Sequence, residues 1–198
     1  MNEIQIFTDL HIGAKHEHKD AGLLLNLVDK IERKEIAVPK DVFLIGDIVE
    51  RKNILKKDVD KQTRLLRKLK DIFGKNMRFG NHSLFHEIEK YIHLSSGVTL
   101  AHGDFELWGE RKAIEYRNKE PGCSWLKYHF LVPAFEEIRH WKPYNLKTEA
   151  KERIWKVCRD NNTRNYFCGH THVSEIQKIM FGGIEINLLP RGYHKIKI

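Results

Sequence analysis

Seven side chains in this sequence can bind a metal ion, and each lies at or just beyond the end of a short apolar run. They are Asp9, His11, Asp47, Asn81, His102, His170 and His172. Seven oxygen and imidazole ligands with one carboxylate in a central position suit two cations that share a bridging aspartate, because hydrolytic two-metal sites hold their ions roughly 3.5–4 Å apart. Mixed ligation without thiolate favours manganese, with iron, zinc or nickel as alternatives, over a structural zinc site.

Asp47 is the residue around which the others are expected to gather. Residues 42–45 form a short run of branched and aromatic side chains bounded by turn residues, which predicts a buried strand. Gly46 and Asp47 follow it directly, and ligands of open α/β sheets bind just beyond the carboxyl ends of strands. Asp9 and His11 follow another predicted strand, and their spacing of two lets both side chains point the same way.

Apolar alternation and turn residues predict the remaining elements. Strands are expected at residues 3–7, 77–79, 91–94, 98–101, 166–168, 175–180 and 184–188, the last two as a hairpin. Helical spacing predicts helices at 21–34, 125–140 and 148–160, and one within 51–78. The loop that carries His16 and His18 among lysines is expected to be solvated.

The composition is that of a soluble globular protein, with 31% charged and 41% hydrophobic residues. No apolar run reaches 18 residues and the N-terminus lacks the order of a signal peptide, so we predict no transmembrane segment. Cys123, Cys158 and Cys168 are odd in number and have no paired spacing. We interpret them as reduced thiols of a cytoplasmic protein.

Much of the net charge of +8 lies in one segment. Residues 51–78 contain eleven Lys or Arg and three Asp, on the outer faces of a predicted helix. A solvated helix face is the ordinary meaning of such a pattern. The alternative is a rim that attracts an anionic substrate such as a nucleotide or nucleic acid.

Residues 105–165 differ from the rest because they contain all four tryptophans, Trp108, Trp125, Trp141 and Trp155. We predict a helical, Trp-rich insertion or cap within a single domain that spans residues 1–198. Its aromatic side chains either pack against the sheet layer or cover the site and stack on a ring of the substrate.

Five motifs in order resemble the calcineurin-like metallophosphoesterase superfamily. They are Asp9-Leu10-His11, Gly46-Asp47, Gly80-Asn81-His82, His102-Gly103-Asp104 and Gly169-His170-Thr171-His172. The resemblance covers residues 3–104 and 166 to about 190, and it leaves the Trp-rich segment outside. It implies an α/β fold in which two β-sheets pack face to face and are flanked by helices (αββα), with the metals at one edge.

The same resemblance implies a role for each residue. Asp9, His11, Asp47 and His172 would hold one metal, and Asp47, Asn81, His102 and His170 the other. His82 would lie beside the scissile phosphate as the catalytic histidine. The implied reaction is hydrolysis of a phosphodiester, in which a hydroxide between the cations attacks phosphorus and His82 stabilises charge or protonates the leaving group.

Two departures from the family pattern affect these expectations. Ser83 stands where the family usually has Asp or Glu after Gly-Asn-His, so the protonated form of His82, which acts as the acid, is expected to be less favoured, since a hydroxyl supports its charge less. Glu50-Arg51 replaces the Asp-Arg of the phosphoprotein phosphatases, which disfavours a protein phosphatase.

The substrate stays open among several classes. A nucleotide or nucleic acid phosphodiester is favoured by the basic segment and the aromatics. A phosphomonoester, or a nucleotide-lipid pyrophosphate as in the UDP-diacylglucosamine hydrolases, is the alternative, although those hydrolases have Arg where this chain has His82. A non-catalytic protein scaffold, like the retromer subunit of this fold, is disfavoured because all seven ligand positions are filled.

Overall fold

The computed structural model describes residues 3–82, 90–124, 127–131 and 144–198. Its strands are β1 (Glu3–Thr8), β2 (Val42–Gly46), β3 (Met77–Phe79), β4 (Tyr91–Leu94), β5 (Val98–Ala101), β6 (Asn165–Cys168), β7 (Gln177–Phe181), β8 (Ile184–Leu188) and β9 (Gly192–Lys197). Its α-helices are α1 (Ala21–Glu32), α2 (Val59–Phe73), α3 (Asp104–Trp108), α4 (Glu110–Arg117) and α5 (Thr148–Asp160). A π-helical turn lies at Lys127–Leu131.

The described strands form two sheets. The first has the order β3-β2-β1-β9, and the second has the order β4-β5-β6-β8-β7. In the first sheet β1, β2 and β3 run parallel, and β9 pairs antiparallel with β1. In the second, β5, β6 and β8 run parallel, and β4 and β7 lie antiparallel at the edges.

Three apolar clusters arrange these elements in four layers, because successive side chains of a strand point to opposite faces. Phe7 and Leu44 pack with Leu24 of α1 and Leu66 of α2. The alternate side chains of the same strands pack across to the second sheet, in a cluster that includes Ile6, Ile45, Leu100 and Phe167. The outer face of the second sheet packs against α5, in a cluster that includes Ile154, Tyr166 and Ile186. The predicted αββα sandwich is confirmed.

Parallel pairing explains why distant motifs meet. Thr8 pairs with Ile45 and Gly46 pairs with Phe79, so Asp9, Asp47 and Gly80-Asn81 leave the first sheet at one edge. Ala101 pairs with Cys168, so His102 and Gly169-His170 leave the second sheet together. The ligand-bearing loops therefore gather at one end of the sandwich.

Most predicted elements have the expected position, and three were missed. β9 has a polar sequence because it is an edge strand with a half-exposed side-chain pattern, so it lacks the apolar run that marks a strand. The helices α3 and α4 were missed because each is too short to show a clear helical periodicity in the sequence. Gly109, which has a φ of 83°, separates them. The predicted helix at 125–140 lies outside the described residues except for the π-helical turn.

Two further observations concern the cysteines and the length of the apolar helices. Cys123, Cys158 and Cys168 are all buried free thiols. Within the described ranges, no helix is both long and apolar enough to cross a membrane.

Candidate metal centre

The backbone of the ligand-bearing loops is unusual. Of six non-glycine residues with positive φ in the described part of the chain, four are predicted metal ligands: Asp9 (50°), His11 (50°), His170 (65°) and His172 (50°). Residues other than glycine rarely adopt the left-handed region of φ and ψ, because Cβ crowds the neighbouring carbonyl. Backbone strain of this kind clusters at active sites and ligand-binding sites. The loops thus hold these four side chains in orientations that an ordinary turn would not give.

The glycines of three motifs let the backbone pass close to a candidate ligand. A Cβ on Gly80 would lie 2.1 Å from Oδ1 of Asp47, and one on Gly169 would lie 2.0 Å from Oδ2 of Asp9. Gly46 has φ 100°, and its Cβ would lie 2.3 Å from Nδ1 of His102. Any side chain at these positions would displace a candidate ligand.

Asp9, His11 and His172 form the first group of candidate ligands. They can bring one ligand atom each within 4.8 Å of the others, and all three are buried. The Nε2 atoms of His11 and His172 lie 3.4 Å apart, and Nε2 of His172 lies 3.8 Å from Oδ1 of Asp9. Three side chains from two loops of different sheets therefore converge on one point.

Asp47, His102 and His170 form the second group, and their ligand atoms also lie within 4.8 Å of one another. Nε2 of His102 lies 3.4 Å from Oδ2 of Asp47, 3.0 Å from Nδ1 of His170 and 2.8 Å from Oδ1 of Asn81. The two groups adjoin, because Nδ1 of His102 lies 3.7 Å from Oδ1 of Asp9. All seven predicted ligands thus belong to one cluster.

The donor set fits cations. Oδ1 of Asp9 and Nδ1 of His102 are buried and have no hydrogen-bond partner among the described residues, and two pairs of imidazole nitrogens point at one another. Buried polar atoms are normally paired, and converging nitrogens repel unless a proton or a metal ion lies between them. Carboxylate, amide oxygen and imidazole are ligands that manganese, iron and zinc accept.

The pKa shifts of Asp47 and His102 also indicate a site that stabilises positive charge. Burial raises the pKa of Asp47, but the neighbouring His102, His82 and His11 outweigh burial and hold the pKa well below its usual value. Burial lowers the pKa of His102, yet Asp47 and Asp9 raise it overall to about 9. The carboxylates therefore stabilise positive charge at this place.

Glu50 contacts the candidate centre, and the sequence interpretation did not place it there. It is fully buried, and its carboxylate accepts hydrogen bonds from Nδ1 of His11 at 2.8 Å and Nδ1 of His82 at 2.6 Å. The backbone N–H groups of Lys52 and Asn53 donate at 2.8 and 2.9 Å to Oε1, the oxygen that also accepts from His82, whereas His11 donates to Oε2. The available signal was a carboxylate three residues after Asp47 on the same loop.

This contact corrects the expectation about His82. Ser83 lies outside the described residues, but Glu50 supplies the carboxylate that was thought to be lacking. Burial lowers the pKa of His82, whereas the charges of Glu50 and Asp47 and the Glu50 hydrogen bond raise it, and the net direction is upward. The backbone N–H of His82 also donates to Oδ1 of Asp47 at 2.8 Å, which fixes the residue beside the cluster.

His16 also differs from expectation. It was predicted to lie in a solvated loop, but it is half-buried and its ring centroid lies 5.0 Å from that of His11. His16, His11 and Glu50 form a third group of side chains with metal-ligand spacing. The loop folds back because the Arg191 guanidinium donates to the carbonyl oxygens of both Asp9 and His16, at 3.0 and 2.6 Å.

Two aromatic side chains of the 105–165 segment line the centre. The Trp108 ring centroid lies 4.3 Å from that of His170, and the Tyr116 centroid lies 5.6 Å from that of His82. The ring centroids of Trp108 and Tyr116 lie 5.4 Å apart, and we call these two side chains the aromatic wall. Trp155 instead donates to the carbonyl of Gly182 in the outer core, and Trp125 and Trp141 lie outside the described residues.

Lys52 joins the loop of Glu50 to the aromatic wall. Its buried ammonium donates to the carbonyl oxygens of Tyr116, Arg117 and Lys119 at the end of α4. A cation is stabilised at a helix C-terminus because the last carbonyls lack intrahelical donors. Burial lowers the pKa of this ammonium to about 8, against the opposing effects of Asp47 and Glu50.

The rest of the basic segment has mixed surroundings. Arg51 is buried near the loop of Glu50, whereas Lys68 of α2 pairs with Glu32 of α1 at 2.6 Å. Arg64 and Arg67 line a shallow groove between the same two helices. These contacts belong to packing of the helix layer, so the hypothesis of an anion-attracting rim stays a prediction.

The sequence matches a protein family over most of its length. A family model described as calcineurin-like phosphoesterase matches residues 4–174. No curated protein matches the chain in sequence.

Solved structures resemble the chain over nearly its whole length. Vacuolar protein sorting 29 of Cryptosporidium parvum has 15% identity and a TM-score of 0.44, covering 96% of this chain and 74% of that one. A conserved uncharacterised protein from Streptococcus pneumoniae, described as a predicted phosphoesterase, has 14% identity and a TM-score of 0.41, covering 100% and 85%. A variant of Vps29 from Entamoeba histolytica has 14% identity and a TM-score of 0.38, covering 96% and 74%.

Proposed function

The chain belongs to the calcineurin-like phosphoesterase family, and we propose that it hydrolyses a phosphodiester with the help of two divalent cations. One observation carries the proposal. Two groups of candidate ligands adjoin at the strand ends, and Nδ1 of His102 in one group lies 3.7 Å from Oδ1 of Asp9 in the other. Groups that adjoin in this way could hold two cations with a shared ligand, as hydrolytic two-metal sites hold their ions about 3.5–4 Å apart.

In this proposal Asp9, His11, Asp47 and His172 hold one cation, and Asp47, Asn81, His102 and His170 hold the other. Manganese is the first candidate, before iron, zinc or nickel. When bound, the cations supply Lewis-acid stabilisation and lower the pKa of water for attack on phosphorus. Residues 1–198 would act as one domain, with 105–165 as its insertion.

In this proposal His82 is the proton donor. It lies beside the cluster, 3.9 Å from Asp47, and its Nδ1 is held by Glu50. That hydrogen bond fixes the ring orientation and leaves Nε2 on the side of the metal ligands. A protonated His82 would stabilise charge on the phosphoryl group or protonate the leaving alkoxide. Glu50 acts as a positioning residue for both His82 and His11.

The aromatic wall supports a substrate that carries a ring, such as a nucleotide or a nucleic acid. Base–aromatic stacking contributes roughly 1–3 kcal/mol per base, and Trp108 and Tyr116 lie next to the histidines of the centre. A phosphomonoester or a nucleotide-lipid pyrophosphate is the second candidate, since the ligand set serves these reactions equally. A non-catalytic scaffold has less support, because a scaffold needs no buried cluster of converging ligands.

A metal analysis combined with a substrate panel tests the proposal. Purified protein is loaded with Mn²⁺, and its metal content is measured beside turnover of an aryl phosphodiester, an aryl phosphomonoester, single-stranded DNA and a UDP-sugar pyrophosphate. We expect about two metal ions per chain and the fastest turnover for a diester. Metal binding without turnover of any substrate would favour the scaffold.

The proton-donor role predicts a dependence on the leaving group. His82→Asn should keep both metals and lower kcat about 10²-fold or more for an alkyl phosphodiester, whose leaving group needs a proton. Turnover of a nitrophenyl diester should fall much less, because nitrophenolate leaves without protonation. Equal losses for both substrates would indicate that His82 stabilises charge and donates no proton.

The aromatic wall predicts a preference for nucleoside diesters. Trp108→Leu or Tyr116→Leu should raise KM about 5-fold or more for a nucleoside aryl diester, since one stacking contact is lost. KM for a methyl aryl diester should stay unchanged. Trp155→Leu, which removes a tryptophan from the outer core, is the matched control. If the two substrates respond alike to loss of Trp108, the wall only packs.

A further inference from the structure

A buried ion pair lies next to the metal centre and includes no candidate ligand. Arg117, the last residue of α4, donates from Nε to Oδ2 of Asp104 at 2.9 Å and from Nη2 to Oδ1 at 3.0 Å. Both side chains are buried, at 6% and 1% exposure. The guanidinium also lies over the Phe105 ring, 4.5 Å from its centroid. Two parallel bonds to one carboxylate, together with an aromatic face, fix the orientation of a guanidinium.

Arg117 makes one more hydrogen bond, which reaches beyond the ion pair. Nη2 also donates to the carbonyl oxygen of Phe79, the last residue of β3, at 3.0 Å. β3 belongs to the first sheet, whereas Asp104 comes shortly after β5 of the second sheet. Among the described strands, pairing occurs only within each sheet, so no backbone ladder fixes one sheet against the other. The Arg117 guanidinium therefore ties the end of a strand in one sheet to the end of a strand in the other.

Each end of this tie lies two residues from a candidate metal ligand. Asp104 follows His102 by two positions, and Phe79 precedes Asn81 by two. The two ligands come from different sheets, yet Nε2 of His102 lies 2.8 Å from Oδ1 of Asn81. Because only a short stretch of backbone separates each ligand from the guanidinium, Arg117 sets the distance between the two ligands.

The backbone of Arg117 connects α4 to a third loop of the centre. Its carbonyl oxygen accepts a hydrogen bond from the Lys52 ammonium at 3.0 Å, and the backbone N–H of Lys52 donates to Glu50. The residue before Arg117 is Tyr116 of the aromatic wall. The end of α4 thus contacts the loops that follow β2, β3 and β5, and all three carry residues of the candidate centre.

We propose that Arg117 is a positioning residue for the second cation of the proposed centre. The ligands assigned to that cation are Asp47, Asn81, His102 and His170. This role rests on the proposed function, because it requires a centre with two cations. Loss of a residue that holds metal ligands in place typically weakens metal binding roughly 10- to 100-fold. The other cation should bind nearly as before, since most of its ligands lie on the loops after β1 and β6, which the guanidinium does not contact.

A Mn²⁺ titration, followed by the electron paramagnetic resonance signal of the free ion, tests this role. Arg117→Lys keeps the charge but lacks the planar fork that reaches three acceptors. We expect one of the two ions to bind about 10-fold or more weakly and the other to bind as in the wild type. In the metal-free protein, amide NMR shifts should change at Asn81 and His102.

Two control variants separate this effect from a general loss of stability. Arg111→Lys makes the same exchange at an exposed position of α4. Ile154→Ala removes buried apolar contacts in the outer core, far along the chain from the ligands of the second sheet's β5 end. Ile154→Ala should lower the melting temperature. Both variants should bind two Mn²⁺ ions as the wild type does.

Two results would overturn the role of Arg117. One is that Arg117→Lys binds both ions as tightly as the wild type. The other is that both ions are weakened equally while the melting temperature falls, as a purely structural residue would cause. If Arg117→Lys does not fold, Arg117→Met combined with Asp104→Asn decides, because this pair leaves no buried charge unpaired and should show the same selective weakening.

Failure of this role and failure of the proposed function give different results. A wild type that binds fewer than two Mn²⁺ ions would overturn the two-cation centre and the role of Arg117 with it. A wild type that binds two ions but hydrolyses no diester would overturn the phosphoesterase proposal alone, since the effect of Arg117→Lys is measured on metal binding.

Discussion

Asp47→Ala is expected to lose roughly 10³-fold or more in kcat/KM for an aryl phosphodiester, together with most of the bound metal. Asp47 lies in the second ligand group, its Oδ1 accepts the backbone N–H of His82, and its Oδ2 lies 3.4 Å from His102. In the proposed centre it is the ligand that both cations share. Its loss therefore removes a bond to each ion and also releases His82. Metal content and turnover are measured on the same preparation.

Asp71→Ala is the matched control, because Asp71 lies on the exposed side of α2 and its loss removes the same charge from the chain. Asp47→Asn is a second variant that preserves the size of the side chain. A variant of Asp47 that kept two metal ions and near-normal turnover would contradict the bridging role. Loss of turnover with both metals retained would assign Asp47 to the orientation of His82 alone.

Glu50→Gln is expected to lower kcat about 10²-fold for an alkyl phosphodiester while most of the metal stays bound. The Glu50 carboxylate accepts from four N–H donors, two imidazoles and two backbone groups, and Nδ1 of His82 lies within hydrogen-bond distance of both of its oxygens. A glutamine has only one acceptor oxygen, and its NH₂ group would face donors. The orientation of His82 and the charge that raises its pKa would both be weakened.

The measurement for Glu50 must separate catalysis from folding, because the residue is fully buried. An unpaired buried donor costs about 1–3 kcal/mol, so the melting temperature of Glu50→Gln should also fall. Glu50→Asp keeps the charge with a shorter reach and should recover part of the rate. If Glu50→Gln lowered the melting temperature but left the leaving-group dependence of kcat unchanged, Glu50 would be a structural residue only.

The strand ends made most of the candidate centre predictable. An apolar run followed by Gly-Asp, Gly-Asn-His or Gly-His-Thr-His marks both the strand and its carboxyl edge, and parallel pairing brings those edges together. The seven candidate ligands could therefore be listed without knowledge of the sheet order. Helices α1, α2 and α5 were predictable for a similar reason, since each has a buried apolar stripe.

Residues on irregular loops could not be placed in this way. Glu50 and His16 have no periodic neighbours that fix their direction, and tertiary contacts with His82 and Arg191 decide where they lie. The doubt about Ser83 arose because sequence reasoning looked for the partner of His82 beside it in the chain. The partner instead comes from a residue 32 positions away. β9 was missed because an edge strand needs few apolar side chains.

The left-handed backbone at Asp9, His11, His170 and His172 has a consequence for how such a protein changes over generations. The left-handed region costs an L-residue roughly 1–2 kcal/mol, which glycine would relieve. Glycine also adds about 0.4–1 kcal/mol of entropy to the unfolded chain, so loss of a ligand is only slightly favourable for stability alone. Random mutation would therefore move the fold towards stable descendants without a metal centre, unless selection for the activity opposes that drift. Laboratory selection for heat resistance alone should accumulate substitutions at these four positions, whereas selection for turnover should exclude them.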